Sequence, residues 1–162
     1  RRVLFRSKIG ILSDTHGSIH PGIVTLVNQC DIIVHAGDII DEKTLLLLKP
    51  KQRTVAVQGN NDTHLTQLKT TEFIELPGGT LVVNHGHTLG RQPSHPLLRE
   101  AYPNAKMIVY GHTHKQLIEQ DSSPWVVNPG AAGEIRNHGG PKCLLLTIES
   151  EQNWQLKPYN FN

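Results

Sequence analysis

The sequence has little cysteine: Cys30 and Cys143 are the only two in 162 residues, and no Cys-x-x-Cys spacing occurs. A disulfide-stapled scaffold and a thiolate zinc site are thereby excluded, and both side chains are expected to be buried, reduced thiols. No apolar run approaches the roughly 18 residues that a membrane-spanning helix requires. No secretory core follows the N-terminus either, so a cytoplasmic protein without membrane association is expected. Excess charge of one sign is missing as well. The net charge is +2, and with Arg1, Arg2 and Arg6 set aside, 13 basic residues face 14 acidic ones. Strong nucleic-acid binding needs clustered positive charge and is not expected. Any preference for phosphate must come from a local site. Internal repeats, low-complexity tracts and interdomain linkers are also absent.

What remains is a globular composition, 37% hydrophobic and 19% charged, at a length that fits one domain with its own core. Residues 1–7 (RRVLFRS) are set apart as a non-native or disordered extension, and 8–162 as the single domain. Short β-branched apolar runs recur, each stopping at Gly, Asn, Asp or His: KIGILSD from Lys8, DIIVHAGD from Asp31, RTVAVQGN from Arg53, TLVVNHG from Thr80, MIVYGHT from Met107 and PWVVNPG from Pro124. Each reads as a buried strand entering a tight loop. Helical stretches are expected over 22–29, over 41–48 with Asp41 as N-cap, and around 97–101. KCLLLTIE from Lys142 and WQLKPYNF from Trp154 read as two further strands. Strands alternating with helices predict an α/β fold in which the loops after the strands converge on one edge, where ligands bind in such sheets.

The residues at those strand ends are Asp14 and His16, then Asp38, then Asn60, then His85, then His112 and His114. Any one of them alone fits a turn, a cap or a structural histidine. Their recurrence at the same place in five consecutive runs, 22 to 27 residues apart, is what coincidence explains badly. Neutral imidazoles, carboxylates and one amide oxygen suit ions of intermediate hardness. Seven ligands exceed the needs of one tetrahedral ion and suit two ions sharing a carboxylate. Such a pair clamps a phosphoryl group and acidifies a bridging water, which points to hydrolysis. Gly17, Gly37, Gly59, Gly86 and Gly111 each adjoin a candidate ligand, where the backbone must turn sharply or be approached closely.

In order, SDTHG, HAGD, GNND, NHGH and GHTH resemble the motifs of the calcineurin-like metallophosphoesterase superfamily, in particular its small bacterial and archaeal phosphodiesterases. NPGAAG from Asn128 resembles the segment after their last ligand loop. The resemblance implies a four-layer αββα sandwich, with two mixed β-sheets flanked by helices and a dinuclear site at the strand-end edge. By motif position Asp14, His16 and His114 would hold one ion, Asn60, His85 and His112 the other, and Asp38 would bridge. The ions would be two divalent cations, manganese first, with nickel, zinc, iron or magnesium as alternatives. His87 and His35 fall where residues behind the ligands or facing substrate would lie, and Asp62 would orient the loop at Asn60. One position departs: many members carry His directly after the metal-binding Asn, and here it is Asn61. Without that acid, modest turnover and a preference for activated or diester substrates are expected.

The implied activity is hydrolysis of small phosphodiesters by a metal-bridging hydroxide. Two alternatives stand beside it: a phosphomonoesterase or nucleotide pyrophosphatase of the same superfamily, and a catalytically weak scaffold resembling the retromer subunit of this fold. Arg91 and Arg136 are candidates to meet a substrate phosphate or to be plain solubilising residues. Oligomeric state is not readable from the sequence.

Overall fold

The computed structural model describes residues 6–162. Among these residues ten strands form: β1 (Ser7–Leu12), β2 (Ile32–His35), β3 (Arg53–Ala56), β4 (Thr71–Leu76), β5 (Gly79–Asn84), β6 (Met107–Val109), β7 (Leu117–Glu119), β8 (Trp125–Asn128), β9 (Lys142–Ser150) and β10 (Asn153–Asn160). They build two five-stranded sheets, ordered β10-β9-β1-β2-β3 and β4-β5-β6-β8-β7. Each sheet has three parallel neighbours, β1, β2 and β3 in the first and β5, β6 and β8 in the second. The remaining strands join antiparallel.

Successive side chains of a strand point to opposite faces, and this alternation sorts the apolar runs into layers. Ile9, Ile11, Val34, Leu81, Val83, Met107, Val109, Leu144 and Leu146 meet between the two sheets in the main core. Leu12, Ile33 and Cys143 face the other way, onto Ile23 and Val27 of helix α1 (Pro21–Val27). On the far side Val82, Ile108 and Val126 pack against Leu98 of helix α2 (His95–Ala101). The result is helix, sheet, sheet, helix, the four-layer sandwich implied by the resemblance. Each fully buried Ile, Leu or Val contributes about 1.5–3 kcal/mol, so the helical layers can be thin.

The helices start where capping predicts. The Ser94 side chain accepts the Leu97 N–H at the start of α2, and the Asp41 side chain accepts the Lys43 N–H at 2.9 Å. The segment after Asp41 is not the α-helix expected there but a 3₁₀ turn, Glu42–Leu47. Leu48 is already extended two residues before Pro50, and Leu46 and Leu47 are left exposed. The strand expected from Lys8 already includes Ser7, which pairs with Ile148, and the Arg6 guanidinium meets Glu149 at 2.6 Å. The domain therefore begins before residue 8; the rest of the proposed extension, residues 1–5, lies outside the described residues. β4 and β7 were not expected. Both are edge strands: in β4 Ile74 is the one buried residue while Phe73 and Glu75 are exposed, and in β7 Ile118 alone packs on the main core. No described helix is long and apolar enough to cross a membrane.

Candidate metal centre

All six parallel strands end on one edge, and the candidate residues follow them: Asp14 and His16 after β1, Asp38 after β2, Asn60 to Asp62 after β3, His85 and His87 after β5, His112 and His114 after β6. Residues from both sheets thus meet at the seam. Asp14, His16 and His114 form one group whose ligand atoms lie within 4.8 Å of one another, and Asp14, Asp38 and His85 form a second. Asp14 belongs to both.

The Asp14 carboxylate is wholly buried and its two oxygens have different fates. Oδ2 accepts the Ser13 hydroxyl at 2.6 Å and the His112 N–H at 3.0 Å. Oδ1 has no hydrogen-bond donor, yet His114 Nε2 lies 3.3 Å away, His16 Nε2 3.8 Å and His85 Nε2 3.9 Å. His85 Nε2 is also buried without a hydrogen bond, 3.5 Å from Asp38 Oδ1. Buried polar atoms are rarely orphaned, and two aimed at each other across such distances fit a shared cation.

The tautomers agree. His85 Nδ1 sits 2.7 Å from the Ala36 carbonyl and His114 Nδ1 2.8 Å from the Arg136 carbonyl. Each Nδ1–H donates to that oxygen, so each Nε2 presents its lone pair inward, as a ligating imidazole does. Burial pulls the His85 imidazole down, but the facing Asp38 and Asp14 carboxylates outweigh it and the net shift is upward. His114 is raised by its Asp14 contact. Burial lowers His16, His87 and His112. For Asp38 burial works against the charge, but the His85 contact and the two Asn61 donors hold its carboxyl well below the usual range.

Five of the seven candidate ligands, Asp14, His16, Asp38, His112 and His114, have left-handed backbone, with φ between 47° and 71°. Outside glycine this conformation costs of the order of 1 kcal/mol or more per residue and clusters at functional sites. Two glycines make the approach possible. A Cβ on Gly59 would stand 2.2 Å from Asp38 Oδ1, and one on Gly111 would stand 2.6 Å from Asp14 Oδ2.

The supporting residues tie loop to loop. The buried Asp62 carboxylate accepts the backbone N–H groups of Ile39 (3.1 Å), Ile40 (2.7 Å) and Gly59 (2.9 Å), fixing the loop after β2 to the loop after β3. His35 accepts the Gly37 N–H on Nδ1 and so carries its proton on Nε2, toward Thr15 Oγ1 at 3.1 Å. Burial lowers it to about 4, which keeps it a neutral tie between the Asp14 and Asp38 loops. Asn128, in the NPGAAG run, donates to the Gly111 carbonyl and to Thr113 Oγ1.

Two of the candidate ligands, Asn60 and His112, stand apart from the two tight groups. Asn61, not Asn60, touches the Asp38 carboxylate, through Nδ2 at 2.9 Å and its backbone N–H at 3.1 Å. Asn60 is exposed and makes no hydrogen bond to the cluster among the described residues. The His112 ring lies 5.3 Å from that of His85 but is not among the two tight groups, and His87 stands beside them, 5.4 Å from His85 by ring centroids. Sequence reading missed Ser13, and it missed the relay in which His95 bridges Tyr110 Oη (2.8 Å) and Glu119 (3.1 Å). Ser13 opens the SDTHG motif, so its position was in view, whereas no motif marks the relay.

A model of the calcineurin-like phosphoesterase superfamily domain matches residues 8–151. The chain belongs to that superfamily. A probable metallophosphoesterase of Methanocaldococcus jannaschii is 28% identical over 147 residues, covering 86% of this chain and 72% of that protein. A phosphodiesterase of the same organism is 28% identical over 170 residues, covering 90% and 95%. These relatives place the chain among the small archaeal and bacterial members. Similar folds include a Vps29 mutant from Entamoeba histolytica (TM-score 0.77, 18% identity, 96% and 99% of the two chains) and an archaeal phosphodiesterase (0.72, 21%, 94% and 99%). At such identities these likenesses establish the fold alone.

Proposed function

We propose that the chain is a cytoplasmic phosphodiesterase that hydrolyses small phosphodiesters with two divalent cations, manganese first. The observation that carries this reading is the unpartnered Asp14 Oδ1, buried beneath the Nε2 atoms of three histidines from both sheets. In this reading Asp14, His16 and His114 would hold one ion and Asp38 and His85 the other, with Asn60 and His112 completing the set, and Asp38, 3.9 Å from His16 Nε2 and 3.5 Å from His85 Nε2, would be common to both. When bound, the ions neutralise phosphate charge and make an attacking water acidic. Burial of the two free thiols supports a reducing compartment.

The chain's own residues then position and discriminate. Asp14, pinned by Ser13 and the His112 N–H, cannot rotate its free oxygen away. Asn61 spends its amide on Asp38 and has no proton to give. As water oxygen forms the new bond to phosphorus and the ester P–O bond breaks, the leaving oxygen takes its proton from solvent. Substrates with good leaving groups are therefore favoured, and simple monoesters are not. His87 Nδ1 is buried without a partner beside His85 and faces the same edge.

The test is hydrolysis of bis(p-nitrophenyl) phosphate by protein stripped with chelator and then given manganese. Activity that returns with the metal supports the reading, and none at any manganese concentration overturns it. A catalytically weak scaffold is the second reading, and the same assay separates the two.

A further inference from the structure

Beside the candidate centre a cavity of about 530 Å³ is walled by Arg91, Gln92, His112, Thr113 and Lys115. It shares Gln92, Thr113 and Lys115 with a second cavity of about 330 Å³, which continues to Pro93, His95, Tyr110 and Leu117. The two form one groove leading from His112 along the loop after β6. Its first part holds two cationic side chains and no carboxylate. Neither Arg91 nor Lys115 makes an ion pair among the described residues. Glu119, the carboxylate on the neighbouring β7, is engaged by Arg99 and His95. In a chain whose folded part is close to neutral, two unneutralised cations beside a hydrolytic edge are a local feature. The second part is mostly apolar, with the buried Tyr110 and Pro93 beneath it and the exposed Leu117 at its open side.

The walls are set in place. Thr113 accepts from Asn128 Nδ2 at 3.0 Å, and its N–H donates to the Gly111 carbonyl. Gln116 Nε2 donates to the carbonyls of Pro129, Cys143 and Tyr159. Tyr110 Oη is fixed by His95. Such a floor loses little freedom when a ligand settles on it.

We infer that this groove seats one ester arm of the substrate, and that the arm carries a second phosphoryl group between Arg91 and Lys115 and a flat ring over the exposed side chain of Leu117. The substrate class is then a nucleotide diester with an additional terminal phosphate, not a lone diester. The inference rests on the phosphodiesterase reading for its chemistry, but the groove can be tested apart from it.

The first measurement is kcat/KM with manganese for a dinucleotide bearing a 5′-terminal phosphate and for the same dinucleotide without it. The native chain should prefer the phosphorylated form by roughly tenfold at low salt, as two exposed charge pairs allow. In Arg91→Ala/Lys115→Ala that ratio should fall to about one, and in Arg91→Lys/Lys115→Arg it should survive. The second measurement uses metal-free protein and calorimetry, comparing adenosine 3′,5′-bisphosphate with adenosine 5′-monophosphate. The bisphosphate should bind more tightly in the native chain, with the gap closing as salt rises and absent in the double alanine variant. Equal ratios in the native chain, or a preference that survives the double alanine variant, overturn the groove assignment. If neither dinucleotide nor bis(p-nitrophenyl) phosphate is cleaved, the hydrolytic reading fails, and the calorimetry alone then decides whether the groove binds a second phosphate.

Discussion

Removing the Asp62 carboxylate should unfasten two ligand loops at once. In the native chain it accepts three backbone N–H groups, two of them, on Ile39 and Gly59, buried. In Asp62→Ala the Ile40 N–H can turn to water, while the other two are left in the interior at about 1–3 kcal/mol each. The expected loss is about 4 kcal/mol. In Asp62→Asn one oxygen remains, and the amide NH₂ faces N–H donors it cannot satisfy, for about 2 kcal/mol. At about 2–4 °C per kcal/mol for a chain of this size, melting should fall by roughly 8–16 °C in the alanine variant and 4–8 °C in the asparagine variant. Because Asp38 immediately precedes Ile39, manganese affinity measured by calorimetry should fall too, in the same order. Differential scanning calorimetry of both variants checks the stability half. An asparagine variant melting within about 2 °C of native would refute the claim that this carboxylate holds the loops together.

Four further outcomes follow from the same geometry. Saturating manganese at about a hundred times its dissociation constant should stabilise the native chain by about 2.7 kcal/mol, seen as a rise in melting temperature; His85→Gln should lose most of that rise. Asn61→His should speed cleavage of diesters with poor leaving groups by up to about 10²-fold and leave bis(p-nitrophenyl) phosphate less affected, and equal rates on both would count against the missing-acid explanation. Gly111→Ala should abolish metal-dependent stabilisation, because the added Cβ would stand 2.1 Å from Ser13 Oγ and 2.6 Å from Asp14 Oδ2. Glu119 has its carboxyl depressed by Arg99 first and His95 second. A depressed acid adds stability that is complete above its unfolded value, near 4.5, and is lost as pH falls through the folded value. Arg99→Leu should therefore flatten the acid side of the stability profile below about pH 4.5, read by urea unfolding at a series of pH values.

Parallel strands such as β2, β6 and β8 could be read from the sequence because they are buried on both faces and so appear as apolar runs ending at a glycine or polar residue. β4 and β7 could not, since glutamates interrupt TEFIEL and LIE is only three residues long. The leucines after Asp41 suggested an α-helix, yet the segment forms a 3₁₀ turn that leaves two of them in solvent. At the centre, residue types at strand ends revealed who converges. They did not reveal that Asp14 reaches both groups or that Asn61 is the one on Asp38, because both follow from left-handed φ values and loop ties that no local pattern encodes. The His95–Tyr110–Glu119 relay was hidden for the same reason: its members are 15 and 24 residues apart and meet only across a helix and two strands.

That the centre draws Asp14 and Asp38 from one sheet and His85 and His114 from the other has a mechanical corollary. Cations held by Asp14 with His114 and by Asp38 with His85 would act as rivets through the mouth of the sandwich, so that sliding of one layer over the other changes their grip directly. Trimming the interior, as in Val109→Ala or Val34→Ala, would then loosen ion binding from a distance without touching a single donor atom. The chain would sense the tightness of its own core through the metal it would hold.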